Sequence, residues 1–172
     1  TSTVPSKHYV RDLSLYEGSF LRTFRMFYGD PGKMIILALL PSYLERKGSS
    51  LIYMVSKLIH LSNSPYSGFF LHNHHKLYER LQVLAGKSQK VLFFGVSYAL
   101  LDFAEKYEIS VPDLIVMETG GLKGRQKELV REELHEILMK RFHVRTIHSE
   151  YGMTEMLSQA YSKGQGIYTA PP

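Results

Sequence analysis

The chain has 172 residues, of which 44% are hydrophobic and 22% are charged, a composition typical of a folded globular domain and not of a disordered segment. Its net charge of +5 arises from basic residues dispersed among acidic ones, without a basic stripe that carries aromatics, so nucleic-acid binding is not indicated. No apolar run reaches the length of a membrane helix, and we expect no signal peptide. The absence of cysteine excludes disulfides and thiolate chemistry. These features fit a cytoplasmic protein.

Strand-like and helix-like segments alternate along the chain. Apolar runs predict strands at residues 34–40, 68–71, 90–96, 113–118 and 144–148. Amphipathic spacing predicts helices at residues 14–27, 50–61, 76–84, 98–107 and 126–142. This alternation predicts βαβ units, and therefore an α/β fold with a mostly parallel sheet flanked by helices. Ligands of such sheets bind beyond the carboxyl ends of the strands, so the residues that follow each strand are the first candidates for a site.

A glycine-rich turn follows the predicted strand at residues 113–118. Gly120 and Gly121 lack a Cβ, so the backbone can turn sharply there and approach a ligand closely. The start of the next helix would favour an anion. The alternative is an ordinary strand-to-helix turn, because neither a G-x-G-x-x-G nor a P-loop pattern is present.

A second polar cluster follows the predicted strand at residues 144–148. Tyr151 offers a ring that can stack on a base, and Gly152 permits a turn. Thr154 can donate a hydrogen bond to a phosphate, and Glu155 can hold Mg²⁺, a hard cation that takes carboxylate oxygens. The alternative is a helix N-cap, in which Thr154 caps a helix over residues 155–160.

The segment Tyr-Gly-Met-Thr-Glu at residues 151–155 resembles the Tyr-Gly-x-Thr-Glu motif of the adenylate-forming superfamily, which includes acyl-CoA synthetases, nonribosomal-peptide adenylation domains and luciferase-like enzymes. The order of its neighbours agrees, because a strand-turn-helix at residues 91–103, a strand ending in Gly-Gly at residues 120–121 and a long helix come before it. More narrowly, the stretches at residues 5–12 and 16–20 resemble the bacterial acyl-protein synthetases, which are long-chain-fatty-acid protein ligases.

The resemblance implies a role for each matching residue. Tyr151 would pack on adenine, with Gly120 and Gly121 shaping the other side of the pocket and Gly152 forming its turn. Thr154 would hydrogen-bond a phosphate of ATP or AMP. Glu155 would bind Mg²⁺, and Thr154 and Glu155 together are the predicted catalytic residues.

The resemblance also implies a reaction and its partners. A carboxylic acid, by family a fatty acid, would be adenylated with ATP and passed to a thiol acceptor, either a protein cysteine or pantetheine or CoA. Tyr43, after the first strand, would lie beside the acid, although packing is the alternative for this residue. Ser97, at the end of the third strand, would line the same pocket.

By this resemblance, residues 1–172 are a part of the large N-terminal domain of such an enzyme. The phosphate loop would lie mostly upstream, and the lid domain with its catalytic lysine would lie downstream. We expect such an excerpt to be inactive alone and to form homo-oligomers, because removal of a partner domain exposes apolar surface.

Two other interpretations remain open. His72, His74 and His75 could ligate a metal, but a polar helix start is the favoured alternative because no carboxylate or cysteine stands at ligand spacing. For the whole chain, the alternative function is a non-catalytic Rossmann-like module that binds a ligand or transfers an acyl group.

Overall fold

The structure is a computed structural model that describes residues 8–41, 48–120 and 130–169, with the backbone alone for Met153 and Thr154. The strands of the described ranges are β1 (Met34–Leu39), β2 (Gly68–Phe69), β3 (Lys90–Val96), β4 (Leu114–Thr119), β5 (Ile147–Met153), β6 (Ser158–Ser162) and β7 (Tyr168–Thr169). The helices are α1 (Leu13–Tyr28), α2 (Ser50–Ser62), α3 (His74–Ala85), α4 (Ser97–Lys106) and α5 (Arg131–Phe142). Single 3₁₀ turns occur at Pro31–Lys33 and Thr154–Met156.

The strands of the described residues form one sheet in the order β2-β1-β3-β4-β5-β6-β7. Strands β1 to β5 run parallel, whereas β6 and β7 run antiparallel to their neighbours. Helices cover both faces of this sheet. The predicted α/β fold with a mostly parallel sheet flanked by helices is therefore confirmed.

Burial on both faces explains the apolar runs of the central strands. All six residues of β1 are buried, as are six of the seven residues of β3. On one face, Phe93 of β3 packs against Phe103 of α4 and Phe142 of α5. On the other face, Tyr161 of β6 packs against the rings of α1 and its hydroxyl lies near Met54 of α2. Helices α1 and α2 thus cover one face, and α4 and α5 cover the other.

Helix α1 begins where the Asp12 side chain accepts a hydrogen bond from the backbone N–H of Ser14. Its buried positions include Phe20, Phe24 and Tyr28, which recur at a spacing of four and so face the sheet. Leu15 points away from the sheet with 64% of its side chain exposed, whereas its neighbour Tyr16 is buried.

Three predicted boundaries are wrong in the last third of the chain. Strand β5 begins at Ile147 and not at residue 144, because Val144 donates its N–H to the Met139 carbonyl and thereby closes the end of α5. Helix α5 begins at Arg131, after an extended Val130 whose N–H is capped by Glu133. Residues 155–160 form a 3₁₀ turn and part of β6 instead of a helix.

In the described ranges, no helix combines the length and the hydropathy that a bilayer crossing requires.

Candidate functional site

The sheet brings Gly120 and Tyr151 together at its carboxyl edge. Thr119 of β4 is paired with Glu150 of β5, so the next residues, Gly120 and Tyr151, follow side by side on strands about 5 Å apart. Gly120 is exposed and has φ of 73°, a left-handed conformation that a residue with a side chain rarely adopts. Its neighbour Gly121 lies outside the described residues.

Strand β5 continues past the end of β4, and its extension is paired on one side with β6. Tyr151 is opposite Ala160, and Gly152 is opposite Gln159. The strand was predicted to end at residue 148, with a turn at Gly152; this is wrong, because β5 continues to Met153 by pairing with a strand that local polarity did not indicate. The Tyr151 side chain is 55% exposed, and its ring meets the edge of Tyr168 at a centroid distance of 6.1 Å.

Gly152 leaves room for a neighbouring carboxylate. A Cβ at this position would lie 2.8 Å from Oε1 of Glu150 and 3.7 Å from the side-chain nitrogen of Gln159. Since Glu150 is buried, its carboxylate has little freedom to move away. The glycine is therefore required by the packing of Glu150 as well as by the course of the chain.

Thr154 and Glu155 lie in the 3₁₀ turn directly after β5. Glu155 is exposed, whereas the side chain of Thr154 is outside the described part of the chain. No group of three or more His, Asp or Glu side chains in the described residues could enclose a metal. One exposed carboxylate suits Mg²⁺, which keeps several waters and is bound by one or two carboxylates together with phosphates.

Glu118 is a charged residue inside the sheet, on the face covered by α4 and α5. It is 2% exposed, and its Oε2 accepts a hydrogen bond of 2.7 Å from the Ser97 hydroxyl. Its Oε1 lies 3.6 Å from Nε of Arg131 and 3.7 Å from Nε2 of His135. Burial raises the pKa of Glu118, but the polar groups of His135, Ser97 and Ser149 and the charge of Arg131 outweigh it, so the pKa is lowered overall. Glu118 is therefore ionised at neutral pH.

Glu150 lies on the opposite face of the sheet, under α1. Thr119 donates a hydrogen bond of 2.7 Å to its Oε2, and both side chains are buried. The buried rings of Tyr16, Tyr28 and Tyr161 lie on the same face and bring no positive charge. Burial raises the pKa of Glu150 to about 7, in spite of the hydrogen bond from Thr119.

His148 is on the same face as Glu150, two residues earlier in β5. Its Nδ1 lies 3.2 Å from the Tyr28 hydroxyl. Burial lowers the pKa of His148 to about 4, and the charge of Lys163 adds to the effect. The ring is therefore neutral at neutral pH.

Ser97 is at the start of α4, beyond the end of β3, and is only 2% exposed. Besides Glu118, its hydroxyl approaches the carbonyl oxygens of Thr119 at 3.5 Å and of Gly120 at 3.0 Å. Its predicted contact with the acid stays a prediction. Tyr43, the other predicted acid-binding residue, lies outside the described residues.

The histidine cluster marks the start of α3. Asn73 caps this helix by accepting a hydrogen bond from the N–H of Lys76, and His74 and His75 form its first turn. The predicted polar helix start is confirmed. His74 also borders a cavity of about 390 Å³ at the carboxyl ends of β1 and β2, together with Pro41 and Tyr98.

The sequence analysis missed the two buried carboxylates, Glu118 and Glu150. Each is a charged residue in a strand made mostly of apolar or small residues. Because a buried charge needs polar partners, a charged residue in a strand buried on both faces indicates a polar network. The pattern could have identified Glu118 in this way. It could not have identified its partners, because Arg131 and His135 come from α5.

Scans against protein-family models and curated proteins find no match. Among solved structures, the chain is similar to the ATP-bound RpMatB–BxBclM chimera B1, with a TM-score of 0.56 and 11% identity over 91% of this chain. The chain spans 28% of the length of that protein. This likeness shows a shared fold, an α/β architecture with a mostly parallel sheet.

Proposed function

We propose that the chain carries the nucleotide-binding part of an acyl-activating ligase, which adenylates a carboxylic acid with ATP. One observation carries the proposal: the register of β4 and β5 puts Gly120 beside Tyr151 at the carboxyl edge of a parallel sheet, with Thr154 and Glu155 directly beyond. Ligands of such sheets bind at this edge. The solved structure with a similar fold holds ATP, which supports a nucleotide as the ligand.

In the proposed site, adenine stacks on Tyr151. The ring is 55% exposed and makes an edge-to-face contact with Tyr168, and its exposed part is the surface on which a base would stack. Gly120 and Gly121 form the opposite wall, where the absence of a side chain admits the flat ring system. Gly152 follows Tyr151 in β5, and the Thr154 hydroxyl donates to a phosphate.

Glu155 would hold Mg²⁺ in this proposal. When bound, the cation offsets the charge of the phosphates during attack on the α-phosphorus. The protein itself orients the acid so that a carboxylate oxygen forms a bond to the α-phosphorus. The bond between the α-phosphorus and the bridging oxygen breaks, and pyrophosphate leaves with that electron pair. The products are acyl-AMP and pyrophosphate.

The acid and the acceptor are the less specific part of the proposal. We propose an apolar, fatty acid near Tyr43 and Ser97, and transfer of the acyl group to a thiol of a protein cysteine, pantetheine or CoA in the cytoplasm. The supporting observation is position, because Ser97 lies at the end of β3, next to Gly120 at the same sheet edge.

The test is acid-dependent exchange of pyrophosphate into ATP by the protein that carries this chain. We expect exchange with Mg²⁺ and a long-chain acid, and a loss of at least about 10-fold in Glu155→Gln, since removal of one electrostatic contact to a transition state costs that much or more. The melting temperature should not change, because Glu155 is exposed. The matched control is Glu136→Gln, which makes the same chemical change at an exposed position of α5.

Two results would separate the alternatives. Binding of ATP without exchange for any acid would favour the non-catalytic ligand-binding module. An absence of both ATP binding and exchange would refute the proposal as a whole.

A further inference from the structure

Gly120 lines one side of the proposed nucleotide site, the glycine wall, and Tyr151 with Tyr168 lines the other, the tyrosine wall. One buried side chain, Glu118, contacts residues that lead to both walls. Glu118 stands one residue before Thr119 in β4, and its carboxylate points to the face that α4 and α5 cover. It does not reach the carboxyl edge itself. Its three polar neighbours, Ser97, Arg131 and His135, come from the starts of those two helices.

The first connection leads to the glycine wall. The Ser97 hydroxyl lies 2.7 Å from Oε2 of Glu118 and 3.0 Å from the Gly120 carbonyl oxygen. A hydroxyl has one proton to donate, and an ionised carboxylate is the stronger acceptor. Glu118 thus fixes the orientation of the Ser97 hydroxyl. The same hydroxyl lies against the Gly120 carbonyl oxygen, at the point after β4 where the backbone enters its left-handed turn.

The second connection leads to the tyrosine wall. Arg131 is paired with Glu118 through Nε, and its guanidinium lies over the ring of Tyr168 at 5.6 Å from the centroid. Tyr168 in turn meets the Tyr151 ring in an edge-to-face contact. Arg131 also lies 3.3 Å from the position that a Cβ on Gly166 would take, so the turn before β7 is fitted around it.

We propose that Glu118 is a positioning residue for the nucleotide: it orients Ser97 against Gly120 and Arg131 against Tyr168, and so sets the spacing of the two walls. This inference rests on the proposed function. A buried ion pair adds little to stability compared with apolar packing, so the consequence of this network is orientation. Glu118 touches neither substrate nor phosphate in this assignment.

The direct test is Glu118→Gln, which keeps the size of the side chain and removes its charge. In the pyrophosphate-exchange assay we expect the KM for ATP to rise about 10-fold, the change that follows from about 1.4 kcal/mol, because hydrogen bonds to a charged group are of that order. The kcat should stay within about two-fold, because Glu118 touches none of the reacting atoms. The control, Glu136→Gln, should leave both constants unchanged.

A second pair of variants tests the last connection without touching the core. Tyr168 is half-buried at the edge strand β7. Tyr168→Ala should raise the KM for ATP about five-fold, since an edge-to-face ring contact contributes about 1 kcal/mol. Tyr168→Phe keeps the ring and should recover most of the affinity. This pair decides the question if Glu118→Gln fails to fold.

The outcomes separate this inference from the proposed function. An unchanged KM for ATP in a folded Glu118→Gln, or in Tyr168→Ala if Glu118→Gln does not fold, overturns the positioning role while leaving the exchange activity in place. A loss of kcat in parallel with the loss of affinity for ATP also overturns it, because that pattern indicates a general loss of folded protein. A wild-type protein without ATP binding refutes both.

Discussion

Replacing Glu150 by glutamine is expected to change the pH dependence of stability. The glutamic acid is buried under α1 among tyrosine rings, and it accepts a hydrogen bond from Thr119 without a cation beside it in the described part of the chain. Glutamine has the same shape and can accept the same hydrogen bond, but it never ionises. The difference between the two proteins therefore isolates the cost of the buried charge.

The magnitude follows from the pKa of Glu150, which burial raises from 4.5 to about 7. A pKa that is higher in the folded than in the unfolded state means that the folded state binds the proton more tightly. This contribution is fully present below pH 4.5 and is lost as the pH rises through about 7. At about 1.4 kcal/mol per pH unit, the interval corresponds to a loss of about 3 kcal/mol.

His148 has the opposite dependence, so the wild-type profile alone would hide this effect. Burial lowers the pKa of His148 from 6.5 to about 4, and stability is therefore lost as the pH falls through that interval. Between pH 4.5 and 6.5 the two contributions cancel in part. The free energy of unfolding of Glu150→Gln should rise with pH over this range, because of these two groups only His148 can still change its charge.

The measurement is urea unfolding of both proteins at several pH values from 4 to 8, followed by far-ultraviolet circular dichroism because the chain contains no tryptophan. Relative to wild type, Glu150→Gln should gain about 3 kcal/mol between the lowest and the highest pH. Glu155→Gln, the same chemical change at an exposed position, is the matched control. A constant difference for Glu150→Gln would refute the reasoning, because it would mean that the carboxyl ionises as readily in the folded state as in water.

Three further predictions concern packing and the histidine. Gly152→Ala should lower the free energy of unfolding by about 1–3 kcal/mol in urea titrations, because the new Cβ meets the Glu150 carboxylate, whereas Gly18→Ala has open space and should be neutral or stabilising. Phe103→Ala should cost about 3–5 kcal/mol in the same titrations, since its ring is fully buried, and a cost below about 1 kcal/mol would contradict the packing of α4. Relative to wild type, His148→Gln should gain stability as the pH falls from 6.5 to about 4, and a difference that does not vary with pH would count against the buried neutral ring.

Much of the fold was predictable because its signals are local. Strands β1, β3 and β4 lie within one residue of their predicted bounds, since each is an apolar run buried on both faces. Helices α1 and α2 were also found within one residue at each end, because Asp12 and Ser49 cap them. Parallel pairing then follows from the alternation of strands and helices.

The last part of the sheet was not predictable in the same way. Strand β6 reads Ser-Gln-Ala-Tyr-Ser, which carries no apolar run, and it forms a strand because β5 and β7 supply hydrogen-bonding partners on both sides. The extension of β5 through Tyr151 depends on the same pairing. Local composition contains no record of a partner that is distant along the chain.

The sequence by itself determined the α/β architecture and singled out Gly120, Tyr151 and Glu155, although Tyr151 lies within β5 and not after its end. Only the tertiary structure decided what lies next to them. The pairing of Thr119 with Glu150 sets Glu118 and Glu150 on opposite faces of the sheet, one beside Arg131 and the other among tyrosines. The physical reason is that alternation along a strand is a local property, whereas the register between strands, which decides the face and the neighbours of each side chain, arises only when the chain folds.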